Sequence, residues 1–304
     1  MRWMRNSVRR GVAGCVAVFA VAVAGCQAQS TIVPAHQDDP LVVVETASFG
    51  EVEVVGHIYS SALARAGWRV TNRPQSGSQE EVVDSVTAGD ATFTVGFTGD
   101  LLGRFDPRSR VTEPDAVYAA MMAALPEGLT AGDRAPADDT PVYVVSRHTS
   151  DSLALRTMSD LAGRCGGFTL GGRAEALADR ELAAAVGSTY DCGFGARVAM
   201  GPDPRAVLDA LRSGEISVGL VQSADPVLDP DDMVTLDDDE HAVRAQNLVP
   251  VFRKSSLTED QLALVNRISG ELTTEDIRAP LLGLEFGTST PVALADYWLD
   301  SHGY

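Results

Sequence analysis

Residues 76–102 read SGSQEEVVDSVTAGDATFTVGFTGDLL, and this stretch decides the fold. Small hydroxyl residues precede an acidic first turn and an apolar stripe, which is the pattern of a capped helix. Gly89 ends this helix, and residues 92–95 predict a strand that leads into a loop at 96–99. Open α/β sheets bind ligands beside helix amino termini and strand carboxyl ends. The stretch therefore predicts either an ordinary helix-strand unit or such a unit with a ligand site.

The composition is that of a globular and strongly acidic protein. The 304 residues are 45% hydrophobic and 22% charged, which allows one large or two medium domains with buried cores. The formal net charge is −18, and it becomes −22 when the four arginines of the first 25 residues are set aside. Because a negative surface repels phosphate backbones, nucleic acid is excluded as a partner.

The amino-terminal segment has the pattern of an export signal. Four arginines precede the apolar run at 11–24, which is short for a membrane span. The run ends in Val23-Ala24-Gly25-Cys26, which resembles the processing box of bacterial lipoproteins. We therefore expect a lipoprotein signal peptide at 1–25, a lipidated Cys26 and a tether over 26–39. This predicts a lipid-anchored protein on the extracytoplasmic face of the cell membrane. A plain secretory signal or an anchor helix is the alternative.

The remaining chain alternates strand and helix patterns, as α/β proteins do. Apolar runs at 41–44 and 142–146 predict buried strands. Residues 126–141 are rich in Pro, Gly and Asp and predict a linker, and residues 174–186 predict one helix. Three further helical segments are expected after residue 257.

Two cysteines remain once Cys15 and Cys26 of the amino-terminal segment are set aside. Cys165 and Cys192 lack the CxxC spacing and a nearby histidine. In an oxidising compartment a disulfide between them is the first expectation, and a loop of that size adds roughly 3 to 4 kcal/mol in the chain-entropy model. A metal or redox pair is the alternative.

Sequence motifs of well-known enzyme classes are missing. The chain has no GxSxG, HExxH, P-loop or dinucleotide fingerprint, and its five histidines lack ligand spacing. The acidic run at 237–240 has no calcium-loop pattern, so a solvated turn is the simpler interpretation. We expect no enzyme activity, no catalytic residue, no metal and no cofactor.

Short motifs follow one another in an order that one transport family shares. They are the segments 48–51 (SFGE), 76–78 (SGS), 88–99 (AGDATFTVGFTG), 146–162, 169–175 (TLGGRAE), 210–217 (ALRSGEIS), 236–241 with 247–251, and 272–276 (LTTED). Over residues 41–303 the chain resembles the substrate-binding proteins of osmoprotectant ABC importers, which capture glycine betaine, choline and carnitine. The common order of the motifs carries this resemblance more than any single motif.

The resemblance implies an α/β, two-lobed fold of the type II periplasmic-binding-protein kind. Each lobe has a mostly parallel sheet flanked by helices, and two hinge crossovers join the lobes. We place lobe I at 40–139 and 248–304, and lobe II at 140–247. In this family the ligand is trapped by closure of the hinge.

The resemblance also implies a ligand site. Family members hold a quaternary ammonium between aromatic faces, because a methylated cation cannot donate hydrogen bonds but is attracted to π electrons. The implied ligand-binding residues are Ser48, Phe49, Ser78, Phe97, Thr98, Tyr143, Arg173 and Tyr190, with Arg180 as an alternative to Arg173. Phe97, Tyr143 and Tyr190 would supply aromatic faces. The hydroxyl side chains would supply hydrogen bonds, and the arginine would bind a carboxylate of the ligand.

The sequence departs from the family at this aromatic cage. Phe97 stands where the family has a tyrosine, and Gly96 stands where it has a glutamate. Pro141 stands at a second tyrosine position of the family, and Tyr143, two residues on, is the nearest substitute for it. A further family tyrosine falls near Leu208. The motifs therefore support the scaffold more strongly than the ligand.

These observations predict a monomeric solute-binding lipoprotein that delivers a quaternary amine or zwitterion to the permease of an ABC importer. One alternative is the same scaffold with a ligand that is not a quaternary amine. Another is a surface lipoprotein without a transport role.

Overall fold

The computed structural model describes residues 39–48, 50–75, 77–201, 203–226, 232–285 and 287–304. The expected signal peptide, Cys26 and nearly all of the tether lie outside the described residues, and so do Phe49 and Ser76. Within the described part of the chain, no helix is long and apolar enough to cross a membrane.

The described residues form ten strands and eleven α-helices, with short 3-10 turns at Ser159–Leu161 and Cys165–Gly167. In chain order they are β1 (Val42–Ala47), α1 (Gly50–Arg65), β2 (Val70–Gln75), α2 (Gln79–Ala88), β3 (Phe93–Phe97), α3 (Thr98–Phe105), α4 (Pro114–Ala124), β4 (Leu129–Ala131), β5 (Pro141–Ser146), α5 (Arg147–Leu153), β6 (Thr169–Arg173), α6 (Ala174–Ala178), α7 (Arg180–Tyr190), β7 (Ala196–Met200), α8 (Pro204–Ser213), β8 (Val218–Gln222), β9 (Met233–Leu236), β10 (Leu248–Arg253), α9 (Glu259–Glu271), α10 (Thr274–Glu285) and α11 (Pro291–His302).

The strands form two five-stranded sheets, each the centre of one lobe. The first sheet has the order β2-β1-β3-β10-β4 and the second the order β7-β6-β8-β5-β9. In each sheet four strands run in one direction and one runs against them, β10 in the first and β5 in the second. The predicted two-lobed α/β fold is confirmed, with mixed sheets in which most strands share one direction.

Helix α1 is the central helix of the first lobe. Its apolar face, which includes Ile58 and Leu63, packs against the sheet and against α9, α10 and α11. The hydroxyls of Tyr59 and Ser269 lie 2.8 Å apart inside this core, so α1 and α9 are joined by a buried hydrogen bond. The carboxyl-terminal helices therefore complete the lobe in which the described chain begins.

The second lobe contains a disulfide between Cys165 and Cys192. Their Cα atoms are 5.1 Å apart, and 27 positions separate them in the sequence. Both cysteines are buried in the lobe core. The bond joins the 3-10 turn before β6 to the segment that follows α7.

The two crossovers between the sheets pair with each other. Asp138 and Asn247 form an antiparallel bridge, and the Asp139 N–H donates to the carbonyl of Gln246 at 3.0 Å. The Gln246 N–H in turn donates to the Thr140 hydroxyl at 3.1 Å. We call this pair of segments, 137–140 and 245–248, the hinge ribbon. The lobe borders at 139/140 and 247/248 stay a prediction.

Helix α3 begins where the sequence predicted a loop. Its amino-terminal residue Thr98 follows β3 directly, and Phe97 at the cap makes no side-chain capping bond. The start is set by distant residues, since the Thr98 N–H donates to the Asn247 carbonyl at 2.9 Å. Gly99 fits there because a Cβ would lie 2.6 Å from the Ala245 carbonyl oxygen.

The helix predicted over 174–186 is two helices, α6 and α7. Asp179 separates them because its carboxylate accepts hydrogen bonds from the N–H groups of Glu181 and Leu182 at 2.9 and 3.0 Å. This is a side-chain cap of the kind that starts a new helix. The break directs the first turn of α7 toward the space between the lobes.

Candidate ligand-binding cleft

A cavity of about 930 Å³ lies between the two lobes. The first lobe contributes α2, the end of β3, α3 and the loop that follows it, and the second contributes α7. The residues that line it are Gln79, Glu80, Val83, Phe97, Gly99, Asp100, Leu101, Gly103, Arg104, Arg110, Thr112, Pro141, Asp179, Arg180, Glu181, Leu182, Ala184, Ala185, Ser188, Ala242, Val243, Arg244 and Gln246. Its volume falls in the range of small-molecule sites.

Phe97 is the one aromatic residue among the described residues that line the cavity. It is the last residue of β3, a strand buried along its whole length, and its side chain is 9% exposed. Its backbone pairs with Leu248 of the hinge ribbon, which places the ring at the cavity wall. The position that the sequence motifs indicated as an aromatic face is thus at the cleft.

The three predicted hydroxyl residues do not line this cavity. Thr98 is fully buried, and its hydroxyl accepts from the Asn247 N–H at 3.1 Å. Ser78 forms a capping box with Glu81, whose carboxylate accepts from the Ser78 N–H at 2.8 Å. Ser48 is exposed just after β1. Two of the hydroxyl residues therefore serve the local fold in this structure.

Tyr143 and Tyr190 lie behind the cavity wall, in the core of the second lobe. Each is 3% exposed. The Tyr143 ring stacks on Phe194 with centroids 5.8 Å apart, and burial raises the pKa of its phenol well above the usual range. The faces of a ring packed in this way are covered by protein atoms, not by the cleft.

Tyr190 is held by hydrogen bonds at the carboxyl end of α7. Its hydroxyl donates to the carboxylate of Asp238 and accepts from the Glu240 N–H at 2.8 Å. Burial, and then this carboxylate, raise the pKa of the phenol well above its usual value. The same carboxylate accepts from the N–H of Val243, a residue of the cavity wall, at 2.8 Å. Tyr190 therefore supports the wall from behind.

A second group of ionisable residues lies near the hinge ribbon. Burial and the neighbouring carboxylate of Asp139 raise the pKa of Glu51 to about 7. The carboxylate of Asp225 also raises this pKa, whereas the guanidinium of Arg173 lowers it. Burial likewise raises the pKa of Asp139 to about 6. Glu51 belongs to α1 of the first lobe, while Arg173 ends β6 of the second. Carboxylates from both lobes and the crossover thus meet beside the predicted ligand residue Arg173.

Glu181, at the first turn of α7, is paired with two arginines of the cavity wall. Its carboxylate lies 3.2 Å from Nη2 of Arg244 and 3.5 Å from Nη1 of Arg110. Arg244 Nη2 also donates to the Ser109 carbonyl at 2.9 Å. Arg180, the alternative carboxylate partner predicted from the sequence, lines the same cavity and is exposed.

Sequence reasoning did not find Arg110, Arg244 and Glu181. They come from three segments that are far apart in the chain and carry no common motif. Glu51 had a signal, because it is the last residue of the SFGE segment. Among the described residues, no group of His, Cys, Asp and Glu has the arrangement of a metal site.

Comparison with known proteins adds a family and a set of structural relatives. The sequence model of the family described as the substrate binding domain of ABC-type glycine betaine transport system, OpuAC, matches residues 40–301. A search among curated proteins found no match.

Solved structures share the fold at low sequence identity. A protein described as a glycine betaine/carnitine/choline ABC transporter has a TM-score of 0.77 at 20% identity, over 88% of this chain and 99% of that chain. Apo YehZ from Escherichia coli has a TM-score of 0.73 at 18% identity, and the match covers 86% of this chain and 98% of that chain. The lactococcal OpuAC in complex with glycine betaine has a TM-score of 0.56 at 16% identity, and the match covers 87% of this chain and 97% of that chain. The two-lobed arrangement is therefore common to all of them.

Proposed function

The chain belongs to the family of substrate-binding domains of ABC-type glycine betaine transport systems, and we propose that it is the solute-binding lipoprotein of an ABC importer. It captures a small quaternary amine or zwitterion outside the cytoplasm and delivers it to the permease. The observation that carries this proposal is the cavity of about 930 Å³ between two lobes joined by a hydrogen-bonded hinge ribbon. Capture proceeds by rotation of the lobes about this ribbon, which closes the cleft over the ligand.

Within this cleft we assign direct ligand contacts to Phe97 and to an arginine of the second lobe. Phe97 offers the π face that attracts a methylated ammonium. Arg173 or Arg180 offers the partner for a carboxylate. The ligand contacts predicted for Ser48, Phe49, Ser78, Thr98, Tyr143 and Tyr190 stay proposals, and those of the buried Thr98, Tyr143 and Tyr190 require these side chains to become accessible when the lobes move.

A calorimetric titration tests the function. Residues 27–304 are titrated with glycine betaine, choline, carnitine and proline betaine, and we expect micromolar or tighter binding of at least one. Phe97→Ala should weaken that binding at least tenfold, whereas Phe97→Tyr keeps the π face and should retain it. Tyr297→Ala is the control, because Tyr297 is 73% exposed on α11. No heat from a folded, ligand-free sample with any of the four compounds would contradict the proposal.

The lipid anchor is a separate part of the proposal. Several acyl chains on one residue suffice for stable attachment to a bilayer, and Cys26 follows a run with the pattern of a lipoprotein signal. Expression of the full chain and of Cys26→Ser should place the first in the membrane fraction and the second in the soluble fraction. Equal distribution of the two would contradict the anchor while leaving the solute-binding proposal intact.

A second candidate is the same scaffold with a ligand that is not a quaternary amine. It is favoured by the scarcity of aromatic side chains among the described residues that line the cleft, of which Phe97 is the one example. Mass spectrometry of ligand released on denaturing freshly purified protein distinguishes the two candidates, since a copurified trimethylammonium compound supports the first.

A further inference from the structure

A third contact between the lobes lies beside the hinge ribbon. Residues 222–225 span the end of β8 and the turn after it, and they reach the first lobe although the chain does not cross between the sheets there. Ala224 is 2% exposed and belongs to the apolar core of the first lobe, which also contains residues of α1 and of α9–α11. We call residues 222–225 the docking turn. The lobes are therefore joined by two crossovers and by one contact that is noncovalent throughout.

The docking turn is bound to the first crossover by hydrogen bonds. The Ser223 N–H donates to the Thr140 carbonyl at 2.9 Å, while the Ser223 hydroxyl donates to the carboxylate of Asp138 and accepts from the Thr140 N–H at 3.1 Å. The Ala224 N–H donates to Oδ1 of Asp139 at 3.2 Å. These bonds fix the turn to the hinge ribbon, but none of them reaches the helices of the first lobe.

Arg278 of α10 is the side chain that joins the docking turn to a helix of the first lobe. Its Nε donates to the Ser223 carbonyl at 3.2 Å, and its Nη2 donates to the same oxygen. Its Nη1 lies 3.3 Å from Oε2 of Glu275, three positions earlier in α10. A hydrogen bond from an ionised donor is roughly twice as strong as a neutral one. Because the Arg278 side chain is 25% exposed, water weakens these bonds only in part.

The lobes also meet across the cleft in this arrangement. The carboxylate of Glu181 on α7 lies 3.5 Å from Nη1 of Arg110, which belongs to the loop after α3. Both residues line the cavity. The contact of Arg278 with the docking turn and the contact between the two cleft walls are therefore made in the same arrangement of the lobes.

We propose that Arg278 is a positioning residue for solute capture, which stabilises the arrangement where the cleft walls meet by holding the docking turn on α10. This inference rests on the proposed function and deepens it, because it names a residue outside the cavity lining that sets the affinity. When the lobes rotate apart about the hinge ribbon, the end of β8 moves with the second sheet, and the bonds from Arg278 to the Ser223 carbonyl are lost. Without these bonds the binding-competent arrangement is less populated, so every ligand is bound more weakly by one factor.

Calorimetry of Arg278→Gln tests this role. The shorter, neutral side chain removes the charge and the two bonds to the Ser223 carbonyl. We expect the dissociation constants of glycine betaine and of choline each to rise about five- to tenfold, with their ratio unchanged. Unchanged constants, or a clear change in the ratio, overturn the proposal. If circular dichroism shows that this variant does not fold, Arg278→Lys takes its place, and a smaller rise in both constants is expected because the charge stays.

Glu275→Gln is the matched control. It removes the other partner of Arg278, which is 72% exposed on α10 itself, and it leaves the bonds to the Ser223 carbonyl in place. Both dissociation constants should stay as in wild type. A rise as large as that in Arg278→Gln would mean that the ion pair on the helix, and not the contact with the docking turn, is responsible, and the proposal would be wrong.

A measurement without ligand separates this inference from the proposed function. Spin labels are attached to residues 27–304 carrying Arg108→Cys and Ala178→Cys, because both positions are exposed, lie outside the cavity lining and neighbour opposite cleft walls. The distance between the labels is measured by pulsed electron paramagnetic resonance with and without Arg278→Gln. We expect the distances to become longer in the variant. Identical distance distributions refute the positioning role even where the amines bind, and the expected increase supports it even where none of them binds.

Discussion

Neutralising Glu51 should stabilise the protein, and the gain should grow as the pH rises from 4.5 to about 7. Burial and the nearby carboxylate of Asp139 raise the pKa of Glu51 from 4.5 to about 7. An acid whose pKa is higher in the folded than in the unfolded chain binds its proton more tightly when folded, so its ionisation destabilises the fold. The penalty is absent below pH 4.5, grows between pH 4.5 and about 7, and is complete above that.

The size of the effect follows from the shift. A displacement of that order corresponds to an upper limit of roughly 3 kcal/mol. Glu51 keeps some contact with solvent, which screens its charge, so we expect about 1 to 2 kcal/mol. For a protein of this size, Glu51→Gln should therefore raise the melting temperature by about 3 to 6 °C at pH 8 and leave it nearly unchanged at pH 4.5.

Thermal unfolding of the two proteins between pH 4.5 and 8.5 measures this difference. Glu259→Gln serves as control, because Glu259 is also in the first turn of a helix but is exposed, so the loss of its charge tests the helix-dipole effect alone. If the difference between Glu51→Gln and wild type has the same size at all pH values, the carboxyl does not have a raised pKa and the reasoning is wrong.

Two other predictions concern the second lobe. Tyr190→Phe should lower the free energy of unfolding by roughly 1.5 to 3 kcal/mol in denaturant titration, because the Asp238 carboxylate loses a hydroxyl donor. Tyr143→Phe should lower it by less than about 0.5 kcal/mol, since the Tyr143 ring packs without a hydrogen bond in the described structure. Equal losses in the two variants would contradict this assignment. Replacing Cys165 and Cys192 together by serine should cost roughly 3 to 4 kcal/mol, and mass spectrometry after alkylation without reductant should show no free thiol in wild type; ready alkylation would exclude the disulfide.

Local signals in the sequence predicted the parts of the fold whose causes are local. Helix α2 begins at the Ser78 cap and ends at Gly89, which takes a φ of +92°, and both residues have the chemistry for those places. Strand β1 begins with an apolar run of three valines and is mostly buried. The ordered motifs then predicted the two-lobed fold before any contact was known.

The parts that sequence reasoning missed depend on distant residues. Helix α3 starts at Thr98 because Asn247 binds it, and β7 has no fully buried residue, so its pairing with β6 could not be read from a buried apolar run. The sequence likewise gave no sign that Phe194 would cover the ring of Tyr143. An aromatic residue in an apolar strand looks the same whether its ring faces a ligand or a neighbouring side chain.

The hinge ribbon has a consequence for how such a protein can change during evolution. Several of its bonds, such as that from the Asp139 N–H to the Gln246 carbonyl at 3.0 Å, join backbone groups, and the ligand contacts proposed for Phe97 and an arginine lie outside it. A substitution in the ribbon that alters the balance of open and closed lobes changes the apparent affinity for every ligand by one common factor, about tenfold for each 1.4 kcal/mol. The order of affinities among different ligands would still be determined by the cleft. Sensitivity and selectivity can therefore be adjusted by mutations in different places, one without disturbing the other.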